Sequence, residues 1–217
     1  MDTFEIDLGA LLDTTRDSAG LPDPGIVNEY TLLQDRRLTL TGEVCLDTIY
    51  FSKMLLQWNI EDMGVEPEKR KPIWLYIFSD GGDADVMWSV VDMIIASETP
   101  VYTVNFGTCS SAAAYIFMAG HKRYMLKNSH IMIHEGSAGF TGDAGKVRDQ
   151  FASYDEMLKR LRSYILEQTE IPVKILNRRK NDDWTMDSEE ALKYNVCTDI
   201  IEKVSDIIVR RGSKIDE

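Results

Sequence analysis

The run Ile73-Trp-Leu-Tyr-Ile-Phe78 is apolar without interruption over the length of a strand, and a second strand-like stretch, Val101 to Phe106, opens after Pro100. Between them lies one helical stretch, about Ala84 to Ser97. A strand that alternates polar and apolar residues can leave one face in water, whereas a continuously apolar one must be covered on both faces. Strand, helix, strand and helix in this order therefore predict an α/β domain: a mostly parallel sheet with surrounding helices. Arg37-Leu-Thr-Leu-Thr41 alternates like a further strand ended by Gly42, and Tyr124 to Leu126 and His130 to His134 supply two more.

Helix signals flank these strands. Asp47 can cap a helix running to about Asp62, and the charged stretch from Glu61 to Lys71 ends at Pro72. Ala144 to about Gln168 is long and amphipathic, with Phe151, Tyr154, Met157, Leu158, Leu161, Tyr164 and Ile165 in periodic positions. A shorter helix follows over Val173 to Arg179, and Ser188-Glu-Glu-Ala191 reads as a capped helix start. Residues 1–28, polar and broken by Gly20, Pro22, Pro24 and Gly25, read as a flexible arm. Residues 29–205 form the expected domain, and 206–217 a charged tail.

With 217 residues and 44% hydrophobic content, the chain can bury a sizeable core. The net charge of −12 argues against nucleic-acid and anionic-membrane partners. Cys45, Cys109 and Cys197 lie too far apart for a C-x-x-C pair, which suits a reducing compartment and suggests neither disulfides nor a zinc site. The acidic start lacks the pattern of a secretory signal, and no apolar run approaches a membrane span. The expected location is cytoplasmic.

Chemistry concentrates between Gly107 and Gly120, Gly-Thr-Cys-Ser-Ser-Ala-Ala-Ala-Tyr-Ile-Phe-Met-Ala-Gly. It reads as a buried strand, a sharp glycine turn and a small-residue helix that begins near Ser111. Small residues here also suit plain helix-on-sheet packing. At a helix N-terminus, however, unpaired N–H groups and the helix dipole favour negative charge. His134 ends an alternating run in which His130, Met132 and His134 share one sheet face while Ile131 and Ile133 share the other. A strand histidine is commonly structural, but a serine in reach makes it a candidate base. Gly81-Gly82 follows a buried strand, where a plain turn would also use glycines. One of their N–H groups, with that of Ala112, would complete a two-donor oxyanion hole. Cys109 is a rival nucleophile two residues before Ser111, placed to face the core. The carboxylate is left open by spacing: Asp182 and Asp183 compete with the rest of 36 acidic residues.

Taken together these segments resemble the ClpP family of serine peptidases over about residues 31–204. Ser79-Asp-Gly-Gly82 is similar to that family's Ser-Pro-Gly-Gly. Gly107-Thr-Cys-Ser-Ser111, ahead of a helix ending Ala119-Gly120, matches Gly-x-Ala-Ala-Ser, and Met132-Ile-His-Glu-Gly136 matches Met-Ile-His-Gln-Pro. Asp183-Trp-Thr-Met-Asp-Ser-Glu-Glu-Ala191, running on to Asp199, is similar to Asp-Asn-Phe-x-x-x-Glu-Glu-Ala and its sequel. Asp80, Glu135-Gly136 and Asp182 depart from the family pattern, which has proline, Gln-Pro and arginine there.

The resemblance implies a ClpP/crotonase-like fold with a protruding handle helix at about 137–169. It implies a Ser111 nucleophile, a His134 base, an Asp183 orienting acid and an oxyanion hole from Gly81 or Gly82 and Ala112. Ser137, Gly139, Phe140 and Gly142 would bind an extended polypeptide, with no metal or cofactor. The assembly would be a homo-oligomer, a heptameric ring or tetradecamer, fed by an AAA+ unfoldase. Three other readings fit the same residues: a non-catalytic ring subunit, a phage-type capsid maturation protease and, more distantly, a crotonase-type acyl-CoA enzyme.

Overall fold

The computed structural model describes residues 23–208, so most of the expected N-terminal arm and C-terminal tail lies outside the described residues. Helix α1 (Pro24–Gln34) opens it, followed by β1 (Arg37–Val44), α2 (Ile49–Glu61), β2 (Ile73–Gly82), α3 (Ala84–Ala96) and β3 (Val101–Ser110). Then come α4 (Ala112–Met118), β4 (Lys122–Leu126), β5 (His130–Ile133) and the long α5 (Ala144–Gln168). The chain closes with α6 (Val173–Arg179), β6 (Trp184–Asp187), α7 (Ser188–Lys193) and β7 (Asp199–Ile201). Pro24, which reads as a breaker in the sequence, instead sits in the first turn of α1, where its missing N–H costs nothing; the Asp23 carboxylate caps that turn.

β1, β2, β3, β4 and β7 lie side by side in that order, all parallel. β3 changes neighbour along its length. Tyr102 to Asn105 pair with β4, and Thr108 to Ser110 pair with β5. Buried Asn105 stitches the changeover: its Nδ2 donates to the His130 carbonyl at 2.8 Å, and its Oδ1 accepts the Gly107 N–H at 2.9 Å. β6 then pairs antiparallel with β5.

Three strands outrun their apolar patterns. β1 passes Gly42 through a bulge to Val44, β2 runs beyond Phe78 to Gly82, and β3 passes straight through Gly107 to Ser110. Ladder bonds are made by the backbone, so a strand continues where side-chain patterning has stopped. These extensions all lie at the carboxyl ends of the strands, where open α/β sheets present ligand sites.

All seven residues of α4 are buried, against β2 and β3 below and α3 beside it. α5 buries only Leu161, Tyr164 and Ile165, near its C-terminus, and Phe151 in its N-terminal half is 60% exposed. Half of this helix therefore projects from the domain.

Arg36 ties α2 to the sheet. Its guanidinium grips Asp62 with two bonds of 2.6 and 2.8 Å, and Asp62 also accepts the Thr99 hydroxyl at 2.7 Å. The Arg36 bond holds the Asp62 carboxyl below its ordinary value of 3.8. Its stabilisation is complete above that unfolded-state value and is lost as pH falls through the lowered folded one. Asp62→Ala leaves the Arg36 guanidinium only the Glu61 carboxylate at 3.3 Å and the Lys71 carbonyl at 3.2 Å, and the Thr99 hydroxyl without its acceptor. It is expected to cost about 1–2 kcal/mol in urea unfolding at pH 7.

Candidate active site

Ser111 is the single residue between the end of β3 and the start of α4. Its backbone, at φ 53° and ψ −127°, lies where residues with side chains rarely sit. Such strain costs about 1–3 kcal/mol and survives only where the surroundings enforce it. Here the Ser111 N–H donates to the Met132 carbonyl at 2.9 Å, and its carbonyl accepts the Ala114 N–H at 2.9 Å. The buried helix behind it does the rest. The sharp turn expected at a glycine is thus made by the serine itself, which stands its hydroxyl off the end of the sheet.

β5 lies next to the end of β3, and His134 follows β5 directly. Its Nε2 is 2.8 Å from Ser111 Oγ, and its Nδ1 is 3.2 Å from Asp183 Oδ1. The second contact follows from register. Ile133 pairs with Trp184 across the β5–β6 ladder, so the next residues outward, His134 and Asp183, come face to face. Asp182 instead lies 3.3 Å from Arg179. With Nδ1–H donated to Asp183, the lone pair of Nε2 points at the serine hydroxyl. His134 is 24% exposed and Asp183 75%.

The glycine pair abuts the serine. A Cβ on Gly81 (φ 104°) would lie 2.6 Å from Ser111 Cβ and 2.7 Å from the Ser110 carbonyl oxygen. A Cβ on Gly82 would lie 2.2 Å from the Val44 carbonyl oxygen. The Gly81 N–H donates to the buried Ser79 hydroxyl at 3.1 Å. Ala112 opens α4, so its N–H has no intrahelical acceptor. Cys109 is fully buried, and that burial pushes its thiol well above the ordinary range, where it is no nucleophile.

Beside Ser111 and His134 opens a cavity of about 160 Å³ walled by Met87, Tyr115, Met157 and Leu161. Ser137 reaches it, while Gly139, Phe140 and Gly142 do not. Phe140 packs instead on Tyr154 and Phe151, with ring centroids 5.7 and 6.1 Å away. The helical period marks Met157 and Leu161 as apolar positions, but nothing in the sequence says that α3, α4 and α5 converge beside the serine. Among the described residues, no cluster of side chains could hold a metal ion, and no helix is long and apolar enough to cross a membrane.

The family model for the Clp protease matches residues 28–204, the span from within α1 to just past β7. This chain belongs to the Clp protease family. The ATP-dependent Clp protease proteolytic subunit 2 of Treponema denticola is 32% identical to it over 179 residues, 81% of this chain and 86% of that protein. The subunit of the same name from Treponema pallidum is 29% identical over 177 residues, with the same shares covered. Among solved structures, a ClpP1 mutant from Listeria monocytogenes matches at a TM-score of 0.69 and 25% identity, over 82% of this chain and 98% of that one. The mostly parallel sheet, its surrounding helices and the long α5 are the Clp protease architecture, with α5 in the place of the handle helix.

Proposed function

We propose that this Clp-family chain is a serine endopeptidase subunit that cleaves unfolded polypeptides through an acyl-enzyme. The observation that carries the reading is the contact series Asp183–His134–Ser111, 3.2 and 2.8 Å, built on a strained serine at the carboxyl end of β3. As the Ser111 oxygen attacks a peptide carbonyl, Nε2 of His134 takes its proton and passes it to the leaving amine. Asp183 holds the ring and stabilises its charged form. The Ala112 N–H meets the developing oxyanion. The second donor is the N–H of Gly81 or Gly82, a pair whose first member lies against Ser111 and Ala112. Water then enters and deacylates the serine with His134 as base. The substrate lies extended between the glycine segment of β2 and the stretch after His134.

The names of the Treponema relatives describe proteolytic subunits of ATP-dependent proteases. By extension this chain works as a homo-oligomer, a heptameric ring or a tetradecamer, supplied by an AAA+ unfoldase while its own hydrolysis needs no nucleotide. The test is intact mass after a fluorophosphonate. The folded wild type is expected to gain one adduct per chain, mapped to Ser111. A folded protein that stays unlabelled, or is labelled elsewhere, overturns the assignment.

A further inference from the structure

Glu135 follows His134 directly and lines the cavity beside Ser111. It is half-buried, and among the described residues its carboxylate makes neither a hydrogen bond nor an ion pair. Two phenols stand close by and are spent on backbone instead. Tyr115 donates to the His134 carbonyl at 3.4 Å, and Tyr154 is 3.2 Å from the carbonyls of both Glu135 and Gly136. Burial first and the Glu135 charge second raise both hydroxyls, so each keeps its proton beside the carboxylate.

Among the described cations near the site several are engaged elsewhere, Arg179 with Asp182 at 3.3 Å among them, while Lys180 lines a neighbouring cavity with Glu135 without an ion pair to it. Lys159 is held by Asp155 and Glu156, Arg160 lies over the Trp88 ring, and Arg162 donates to Asn177. His134 turns its Nε2 to Ser111. A carboxylate partly withdrawn from water without a donor is unfavourable until a cation reaches it. Around it stand Met87, Met157 and Leu161, which suit an aliphatic stem and offer a terminal charge nothing.

We propose that this cavity takes a lysine side chain from the substrate residue whose carbonyl Ser111 attacks, its stem against Met87, Met157 and Leu161 and its ammonium at Glu135. The assignment rests on the peptidase reading for the identity of the attacked residue. Glu135 is then the specificity-determining residue of the site, selecting lysine over an apolar chain of equal length and rejecting acidic ones.

The test separates binding from hydrolysis. Matched peptides ending in lysine, norleucine or glutamate are titrated calorimetrically into the full-length Ser111→Ala protein, with and without Glu135→Gln. Fluorogenic versions are turned over by the wild type and the Glu135→Gln variant. Expected is a preference for lysine over norleucine of about fivefold or more at low salt, lost in Glu135→Gln and mirrored in kcat/KM. A norleucine peptide bound and cleaved as well as lysine, or a lysine preference that survives Glu135→Gln, overturns the inference. A Glu135-dependent lysine preference in binding, with no peptide hydrolysed, upholds the pocket and removes the peptidase reading. No peptide bound at all removes both. The near-isosteric Glu135→Gln change keeps the walls in place, and circular dichroism confirms that each variant is folded.

Discussion

Replacing Ser111 with alanine is expected to reduce peptide turnover by at least about 10⁴-fold while leaving the fold intact. The hydroxyl is the only group lost. The Ser111 side chain makes no capping bond to α4, and its partner across 2.8 Å is the His134 ring, which is partly open to water. Alanine meets the same backbone strain at φ 53° as serine does. The urea midpoint should therefore hardly move. Fluorogenic peptide turnover by the pure variant, alongside its unfolding curve, is the measurement. Turnover near the wild-type rate in a folded Ser111→Ala protein would shift the chemistry away from this hydroxyl altogether.

Gly81→Ala should cut turnover less deeply, and by a different route. The added methyl would sit 2.6 Å from Ser111 Cβ, 2.7 Å from the Ser110 carbonyl oxygen and 3.0 Å from the Ala112 nitrogen. None of these is the tip of a flexible side chain, so the end of β3 and the first turn of α4 must move. The serine, and the donor beside it, move with them. A fall of about 10²–10³ in kcat is expected, the scale on which a misplaced oxyanion donor acts. The forced φ of 104° adds a loss of stability of about 1 kcal/mol or more. The fluorophosphonate reaction should slow with it. A Gly81→Ala protein that turns over peptides at the wild-type rate would show that the oxyanion is held elsewhere.

Elements with a strong period of their own are readable from the chain. Ala144–Gln168 and Val173–Arg179 stand where their helical patterns put them, and Ile131 and Ile133 are buried while His130 is exposed, as alternation requires. Strand ends are not readable in this way. Gly42 and Gly107 look like stops, yet the parallel ladder carries both strands past them because backbone pairing ignores side-chain type. The serine and histidine candidates come from local pattern, since each lies at the end of a recognisable strand. Asp183 does not. Its place opposite His134 comes from pairing with β6, only four residues long and flanked by polar sequence, which no periodicity reveals. The cavity is hidden for the same reason, its walls being drawn from α3, α4 and α5, far apart along the chain.

Chains are made from the N-terminus, and domains fold as they emerge. β3, α4 and β5, with Ser111 and His134, therefore leave the ribosome well before Trp184–Asp187 has been translated. Until β6 docks against β5, a nascent chain holds Ser111 and His134 without the Asp183 carboxylate beside the ring. The contact between His134 and Asp183 thus waits on the last strand but one, and forms only once nearly the whole domain exists.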